Sequence, residues 1–295
     1  MTRALAFLRP ETIDEAVALL QEHEDEAKVV AGSTALTIML RNRLIDPSVL
    51  VWIGRLPGLR DITVADGVAE LGALVTHRTV ERDPAVLAAI PVLADTFSKV
   101  ANVRIRNAAT VGGVVAEADY ASDPPAAFVG LDAEIVAHGP DGRRVIPASE
   151  FFVAFYETAL APTEIVTSVR VPVPAAGTGA VYHKFVTRSS EDRPCVGVFA
   201  STQSLGNGRY ANTRVSVGAA AETPQRFPDI ESQAADSDLG EDVRRAIADG
   251  YAERIETLDD VRGSSWYRTE MVRVWVRRAL ESAQASADAS AKAVA

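Results

Sequence analysis

Two short glycine turns, Val30-Ala31-Gly32-Ser33-Thr34 and Thr110-Val111-Gly112-Gly113, constrain this chain more than any other feature of its sequence. The apolar run Lys28-Val29-Val30-Ala31 reads as a buried strand, and Ala35-Leu36-Thr37-Ile38-Met39-Leu40-Arg41 reads as a helix that begins directly after Gly32-Ser33-Thr34. A strand, a tight turn and a helix start aim unpaired backbone N–H groups at one spot, where a phosphate supplies the missing acceptors. Each turn alone is weak evidence, since many α/β proteins contain such a bend without a ligand and the first turn by itself reads more readily as structural. The first turn lacks the G-x-G-x-x-G of a dinucleotide-binding βαβ unit and the G-K-[ST] ending of a P-loop, so neither site is supported.

Composition narrows the function classes. The 295 residues exceed one average domain of about 100–200 residues, so two or three domains are expected. A net charge of −10 would repel an extended phosphate backbone, which argues against nucleic acid as a partner. No apolar stretch reaches the roughly 18–20 residues of a membrane span, and the N-terminal segment is too short and interrupted for a signal peptide, so a cytoplasmic location is expected. Cys195 is the sole cysteine, which rules out an internal disulfide or a cysteine-ligated iron–sulfur cluster within this sequence.

Periodicity divides the chain. Thr12 with Glu15 forms a candidate capping box ahead of Ile13, Ala16, Val17, Leu19 and Leu20 at helical spacing. With the strands at Val29 and Val49–Ile53, this gives a compact βαβ-like first lobe, residues 1–58. Short alternating strands joined by Asp66-Gly67, a helix over 92–100 and a turn at Pro140-Asp141-Gly142 give a second lobe, 59–174. After a Pro-, Gly- and Ala-rich boundary, alternating strands and two helices over 241–255 and 265–280 indicate an α+β domain, 178–281. Residues 282–295 contain no large apolar side chain and are expected to be a disordered tail.

The second turn lies in the string Val103-Arg104-Ile105-Arg106-Asn107-Ala108-Ala109-Thr110-Val111-Gly112-Gly113-Val114-Val115-Ala116-Glu117-Ala118-Asp119-Tyr120-Ala121-Ser122-Asp123-Pro124-Pro125-Ala126. This string resembles the I-R-N-x-x-T-[IV]-G-G-N-[LIV]-A-x-A-[DS]-P-x-[SA]-D stretch of the FAD-binding medium subunits of the molybdenum hydroxylases, the relatives of xanthine dehydrogenase and aerobic carbon monoxide dehydrogenase. The first turn resembles that family's A-G-G-[TSH]-x-[LI] turn. The similarity extends through Tyr182-His183-Lys184-Phe185 and Arg262-Gly263-Ser264-Ser265-Trp266 and covers about residues 1–281.

The resemblance implies a two-lobed FAD-binding domain of the vanillyl-alcohol-oxidase-like (PCMH) type followed by an α+β C-terminal domain. It implies cofactor contacts from Ala31, Gly32, Ser33, Thr34 and Ala35 and from Thr110, Val111, Gly112, Gly113 and Val114, with both turns holding the pyrophosphate through backbone N–H groups. The Thr34 and Thr110 hydroxyls would be extra donors. Asp123 matches an aspartate that approaches the cofactor, the alternative being a helix cap before Pro124. Lys184 matches a motif lysine, the alternative being a surface ion pair. The family further implies a large molybdopterin subunit and a small subunit with two [2Fe-2S] clusters, arranged as a dimer of heterotrimers. Electrons would pass from the clusters through FAD to an external acceptor, and no catalytic or metal-binding residue is expected in this chain. A stand-alone flavin oxidoreductase and a flavin-free assembly module are the competing readings.

Several positions depart from the family pattern. Ser33 stands where a second glycine is frequent and calls for a negative φ, Val114 replaces the common asparagine, and Tyr120 replaces the common proline. Arg193 falls where many relatives carry an aromatic near the isoalloxazine, and reads either as a cation beside the flavin or as a surface charge. Arg104 and Arg106 fall on one face if their segment is extended. His77 and His183 lack companions at metal-ligand spacing, and Cys195 reads as a small buried hydrophobe.

Overall fold

The computed structural model describes residues 5–294. The first four residues of the expected first lobe and Ala295 of the expected tail lie outside that range.

In the first lobe, β1 (Ala6–Leu8), α1 (Ile13–His23), β2 (Ala27–Val30), α2 (Leu36–Arg41) and β3 (Val49–Trp52) form a parallel sheet of order β1-β3-β2 with its crossover helices. The start of α1 follows from its sequence. Thr12 Oγ1 accepts from the Glu15 N–H at 3.1 Å, and the Glu15 carboxylate accepts from the Glu11 N–H at 2.7 Å. The first bond satisfies a donor that the helix start leaves open, and the second ties the residue ahead of the cap back to the first turn. The helix then buries Ala16, Val17 and Leu20 in a core shared with Val49 and Val51 of the central strand.

The second lobe begins with β4 (Ile62–Ala65) and β5 (Val68–Gly72), joined at Asp66 and Gly67 with φ 51° and 76°. Two consecutive left-handed residues match the twist of a two-residue hairpin, and Ala65 pairs with Val68 accordingly. Helices α3 (His77–Arg82), α4 (Pro84–Ala89), α5 (Pro91–Ser98), α6 (Val103–Arg106), α7 (Val111–Glu117) and α8 (Asp123–Gly130) follow. Then come β6 (Glu134–Gly139), β7 (Gly142–Pro147), α9 (Ala148–Phe151), a small hairpin of β8 (Phe152–Ala154) and β9 (Glu157–Thr158), and β10 (Ile165–Pro172). The main sheet has the order β4-β5-β10-β6-β7. Leu71, Val169 and Ile135 lie opposite one another across its three middle strands and are fully buried, which fixes the register. The segment carrying Arg104 and Arg106 is helical rather than extended, because Asn102 caps it by accepting from the Arg104 and Ile105 N–H groups. The two arginines therefore part company. Arg104 faces solvent, whereas Arg106 donates to Glu81, Val100 O and Ala101 O.

The third region pairs β11 (Thr178–Phe185), β12 (Val196–Ser204) and β13 (Tyr210–Gly218) as an antiparallel sheet, followed by α10 (Pro228–Glu231), α11 (Glu241–Arg254) and α12 (Ser265–Val294). Both faces of this sheet are buried. Phe199 points into the second lobe's core, where a Cβ on Gly130 would stand 2.1 Å from its ring, while Val198 and Ala200 join the core beneath the helices.

The expected disordered tail is instead the C-terminal part of α12, which runs unbroken to Val294. Ala283 and Ala287 are completely buried, and a Cβ on Gly179 would come within 2.1 Å of Ala287 N and 2.3 Å of Ala283 O. Small residues on both sides let helix and strand backbones touch, so order here needs no large apolar side chain. Gly179→Ala should therefore cost about 1–3 kcal/mol by overpacking, read as a lower urea midpoint, with faster amide exchange over 283–292. Unchanged stability and exchange would contradict this account of the tail.

Candidate cofactor site

The first glycine turn leaves β2 and enters α2. Ser33 adopts φ 58°, not the negative φ expected, so a residue with a Cβ occupies the left-handed region, at a cost of about 1–2 kcal/mol. Its hydroxyl lies 2.9 Å from Thr37 Oγ1, a local hydrogen bond that offsets part of this strain. The sharp bend leaves donors free. Among the described residues, no hydrogen bond engages the N–H groups of Gly32, Ser33, Thr34 or Ala35.

The second turn is arranged differently. Val111 N–H donates to Val75 O at 2.9 Å, Gly112 N–H to Ala73 O at 2.8 Å, Gly113 N–H to Thr110 Oγ1 at 3.1 Å and Val114 N–H to Thr110 O at 3.0 Å. The start of α7 is thus satisfied within the fold, against the expectation that both turns offer backbone donors. Its glycines serve close packing: a Cβ on Gly112 would stand 2.6 Å from Ala73 Cβ. The same holds for the first turn, where a Cβ on Gly32 would meet Ala108 O at 1.9 Å. The two turns are pressed together, backbone against backbone.

Beside this contact lies a cavity of about 710 Å³, within the roughly 300–1,000 Å³ range of small-molecule sites. Of the expected site residues, 31–35, Thr110, 112–114, Asp123 and Lys184 line it. Val111 does not. It is fully buried in the second lobe's core, because the first residue of α7 faces the sheet. Thr34 makes no hydrogen bond among the described residues, and the Thr110 hydroxyl, which accepts from Gly113, keeps its own proton to donate.

Asp123 and Lys184 form a buried polar seam between the second lobe and the third domain. Asp123 accepts from Tyr182 Oη and from Lys184 Nζ, each at 2.9 Å, so it acts as neither a cap nor a free acceptor, and Lys184 is no surface pair. Lys184 also donates to Lys99 O at 2.7 Å, and Lys99 donates to Tyr182 O at 2.5 Å. Burial pushes the Asp123 carboxyl above its ordinary range, against the pull of Lys184.

Arg193 lies on the cavity wall, with Nε 2.5 Å from Asp119 Oδ2, so its charge is matched rather than free. Tyr120, in place of the family proline, donates to Asp260 at 2.7 Å, accepts from Arg262 at 3.0 Å and so fastens the loop after α7 to the third domain. Arg268, fully buried, donates to the same Asp260 at 2.7 Å and to Cys195 O at 3.1 Å. These roles were invisible in the sequence because each joins residues more than sixty positions apart or sits in a motif with no charge pattern of its own.

Among the cavity groups outside the expected site residues are His77, Glu117 and Asp119. Burial, with Asp119 beside it, pushes the Glu117 carboxyl up to about 7, while Arg193 pulls the other way. His77 lies edge-on to Phe97 and 3.3 Å from Thr110 O, while its Nδ1 has no partner. Burial lowers its pKa from 6.5 to about 4, so it is neutral at neutral pH. The unfolded chain takes up this proton first, so His77 stabilises the fold fully above about pH 6.5 and loses that contribution as pH falls toward 4. The loss should approach about 3 kcal/mol, and His77→Gln should flatten that part of the stability profile; an unaltered profile would show that His77 is not its source.

Comparison with known proteins places this arrangement. The family described as the FAD binding domain in molybdopterin dehydrogenase matches residues 3–174, and the CO dehydrogenase flavoprotein C-terminal domain matches 181–283. The chain is 33% identical over 282 residues to the nicotine 6-hydroxylase medium subunit of Paenarthrobacter nicotinovorans, covering 96% of this chain and 98% of that one. It is also 33% identical over 276 residues to the carbon monoxide dehydrogenase medium chain of Hydrogenophaga pseudoflava, covering 94% and 96%. The solved carbon monoxide dehydrogenase of H. pseudoflava superposes with a TM-score of 0.93 at 32% identity, over 97% of this chain and 99% of that one. Quinoline 2-oxidoreductase from Pseudomonas putida 86 gives 0.91 at 26% identity, with coverage of 97% and 99%. With two adjoining domain families matched in order and relatives aligned from end to end, the chain belongs to the FAD-binding medium subunits of the molybdenum hydroxylases, α+β flavoproteins of oxidoreductase complexes.

Proposed function

We propose that this chain is the electron-transfer subunit of its complex, holding FAD between its first two lobes while partner chains carry out the substrate chemistry. The observation that supports this reading best is the set of unengaged N–H groups at residues 32–35 on the cavity wall. Such a row suits a pyrophosphate, whose oxygens supply the acceptors that the turn lacks. The two turns then divide the work. Residues 32–35 provide the backbone donors, the Thr34 hydroxyl adds a side-chain donor, and Ala31 lines the cavity beside them. Thr110 and residues 112–114 form the facing wall, where Thr110 has one proton to donate and Val111 anchors the wall from the core. Asp123 and Lys184 set the angle of the third domain against that wall. Lobes 1–58 and 59–174 form the cofactor domain, and the domain from 178 onward covers it and presents the assembly surface.

Bound FAD supplies chemistry that side chains lack, since a flavin takes up electrons singly and releases them as a pair. This chain's own contribution is to bind, orient and shield it. With Cys195 as its sole cysteine, the sequence offers no thiolate set for an iron–sulfur cluster. Electrons on this reading arrive from [2Fe-2S] clusters of a small subunit after substrate oxidation at a molybdopterin-bearing large subunit, within a dimer of heterotrimers in the cytoplasm. The medium-subunit and medium-chain names of the aligned relatives support that division of labour. No helix among the described residues is long and apolar enough to cross a membrane.

Two outcomes test the proposal. Gly32→Ala drives a Cβ toward Ala108 O and should purify without flavin while keeping wild-type helix content by circular dichroism; full flavin retention would refute the placement. In the assembled complex, adding the organic substrate should bleach the flavin absorbance, whereas the isolated flavin-loaded chain should show no bleaching. An isolated chain that oxidises organic substrate would overturn the electron-transfer role.

A further inference from the structure

One carboxyl on the cavity wall has no partner within the fold. Glu117 is the last residue of α7 and is half-buried, and no hydrogen bond or ion pair engages it among the described residues. Its neighbours differ in this respect. Asp119 accepts from Arg193 at 2.5 Å, from the Ala121 N–H at 3.1 Å and from Tyr156 Oη at 3.4 Å. Between the two acids, Ala118 adopts φ 47° and its carbonyl accepts from Tyr156 N–H, a bend that keeps both acids on the cavity side.

The surroundings disfavour an ionised Glu117. The charges that act on it directly are those of Asp119 and Arg193, and the rest of the cavity lining adds Asp123, Tyr156, Glu164, Glu191 and Asp192 on the acidic side and Lys28, His77 and Lys184 on the basic side. Of the cations, Arg193 is already paired with Asp119 and Lys184 with Asp123. The carboxyl also sits at a helix C-terminus, where the backbone dipoles present their negative end. A pyrophosphate-bearing ligand adds further negative charge, whereas a neutral carboxylic acid offers it an O–H donor.

We propose that Glu117 is a cofactor-contacting residue that enters the complex as the neutral acid, so that FAD binding takes up one proton from solvent onto the Glu117 carboxylate. This rests on the FAD placement proposed above. The O–H formed then donates to a cofactor oxygen, and no other bond is made or broken. With the free carboxyl pushed up to about 7, roughly half the protein already holds that proton at neutral pH. Affinity should then be level at acidic pH and fall as pH rises above 7. The cofactor's own pyrophosphate stays fully ionised throughout this range.

The test is titration of the full-length apoprotein with FAD at about pH 6 and about pH 8.5, followed by flavin fluorescence, with calorimetry in two buffers of different ionisation heat to count protons. Wild type should weaken by about tenfold or more between the two pH values and take up close to one proton per FAD at the higher pH. Glu117→Gln, neutral at every pH, should lose both effects and bind more tightly than wild type at pH 8.5, while Glu117→Asp should retain the pH dependence. Equal pH dependence in wild type and Glu117→Gln, or no proton uptake by wild type, would overturn the proposal while leaving the FAD site standing. Failure of both proteins to bind FAD at either pH would overturn the placement of the cofactor itself.

Discussion

The contact of Gly32 with the carbonyl of Ala108 sets the geometry on which the rest of the site depends. It lets the first lobe's turn and the second lobe's turn meet with no side chain between them, and the cavity opens beside that junction. The glycines permit a protein–protein approach before any ligand is considered. The consequence is an asymmetric site. One turn keeps its N–H groups free, while the other directs them to Val75, Ala73 and Thr110. The second lobe is thereby a finished wall, and anion recognition falls chiefly to the first.

The third domain is joined to this pair of lobes by apolar and polar seams. Phe199 fits against Gly130 in the second lobe's core. Around it, Asp123, Tyr182 and Lys184 form one buried network with the half-buried Lys99 at its edge, and Asp260 gathers Tyr120, Arg262 and Arg268 into another. Such networks carry a desolvation cost, and removing one partner from a buried pair typically costs about 3–5 kcal/mol. Their geometry is directional in a way that apolar packing is not, so they hold the loop bearing Arg193 at a defined place over the cavity.

The elements with strong local signals were legible in the sequence. The capping box at Thr12, the Asp66-Gly67 hairpin and the turn at Pro140-Asp141 each state their geometry within four residues. The strand ahead of the first glycine turn follows from a short apolar run bounded by glycine. What escaped was decided by distant or inconspicuous partners. The extended reading of the Arg104 segment failed because a single asparagine cap started a helical turn. The negative φ expected at Ser33 failed because a hydroxyl contact to Thr37 supports the left-handed alternative. The tail failed a hydropathy test that counts large side chains, whereas its order rests on alanine meeting glycine. Glu117 was passed over because its significance lies in having no partner, and sequence spacing cannot reveal that.

The contact of α12 with Gly179 has a mechanical side. Thirty residues of helix make a rod about 45 Å long. Arg268 lies near its first turn and grips Asp260, while Ala287 lies near its other end and rests on a strand. Val272, Val276, Ala279 and Leu280 seat the rod in the core between these points, and the contacts toward its two ends fix its tilt as well as its position. Arg268 and Ala287 are about 28 Å apart along the axis, so a tilt of about 5° about the first would carry the second through roughly 2.5 Å, more than its close fit against Gly179 tolerates. The alanine-rich stretch, chemically the plainest part of the chain, is therefore the far bearing of the shaft that aligns Arg268 at the other end of the helix.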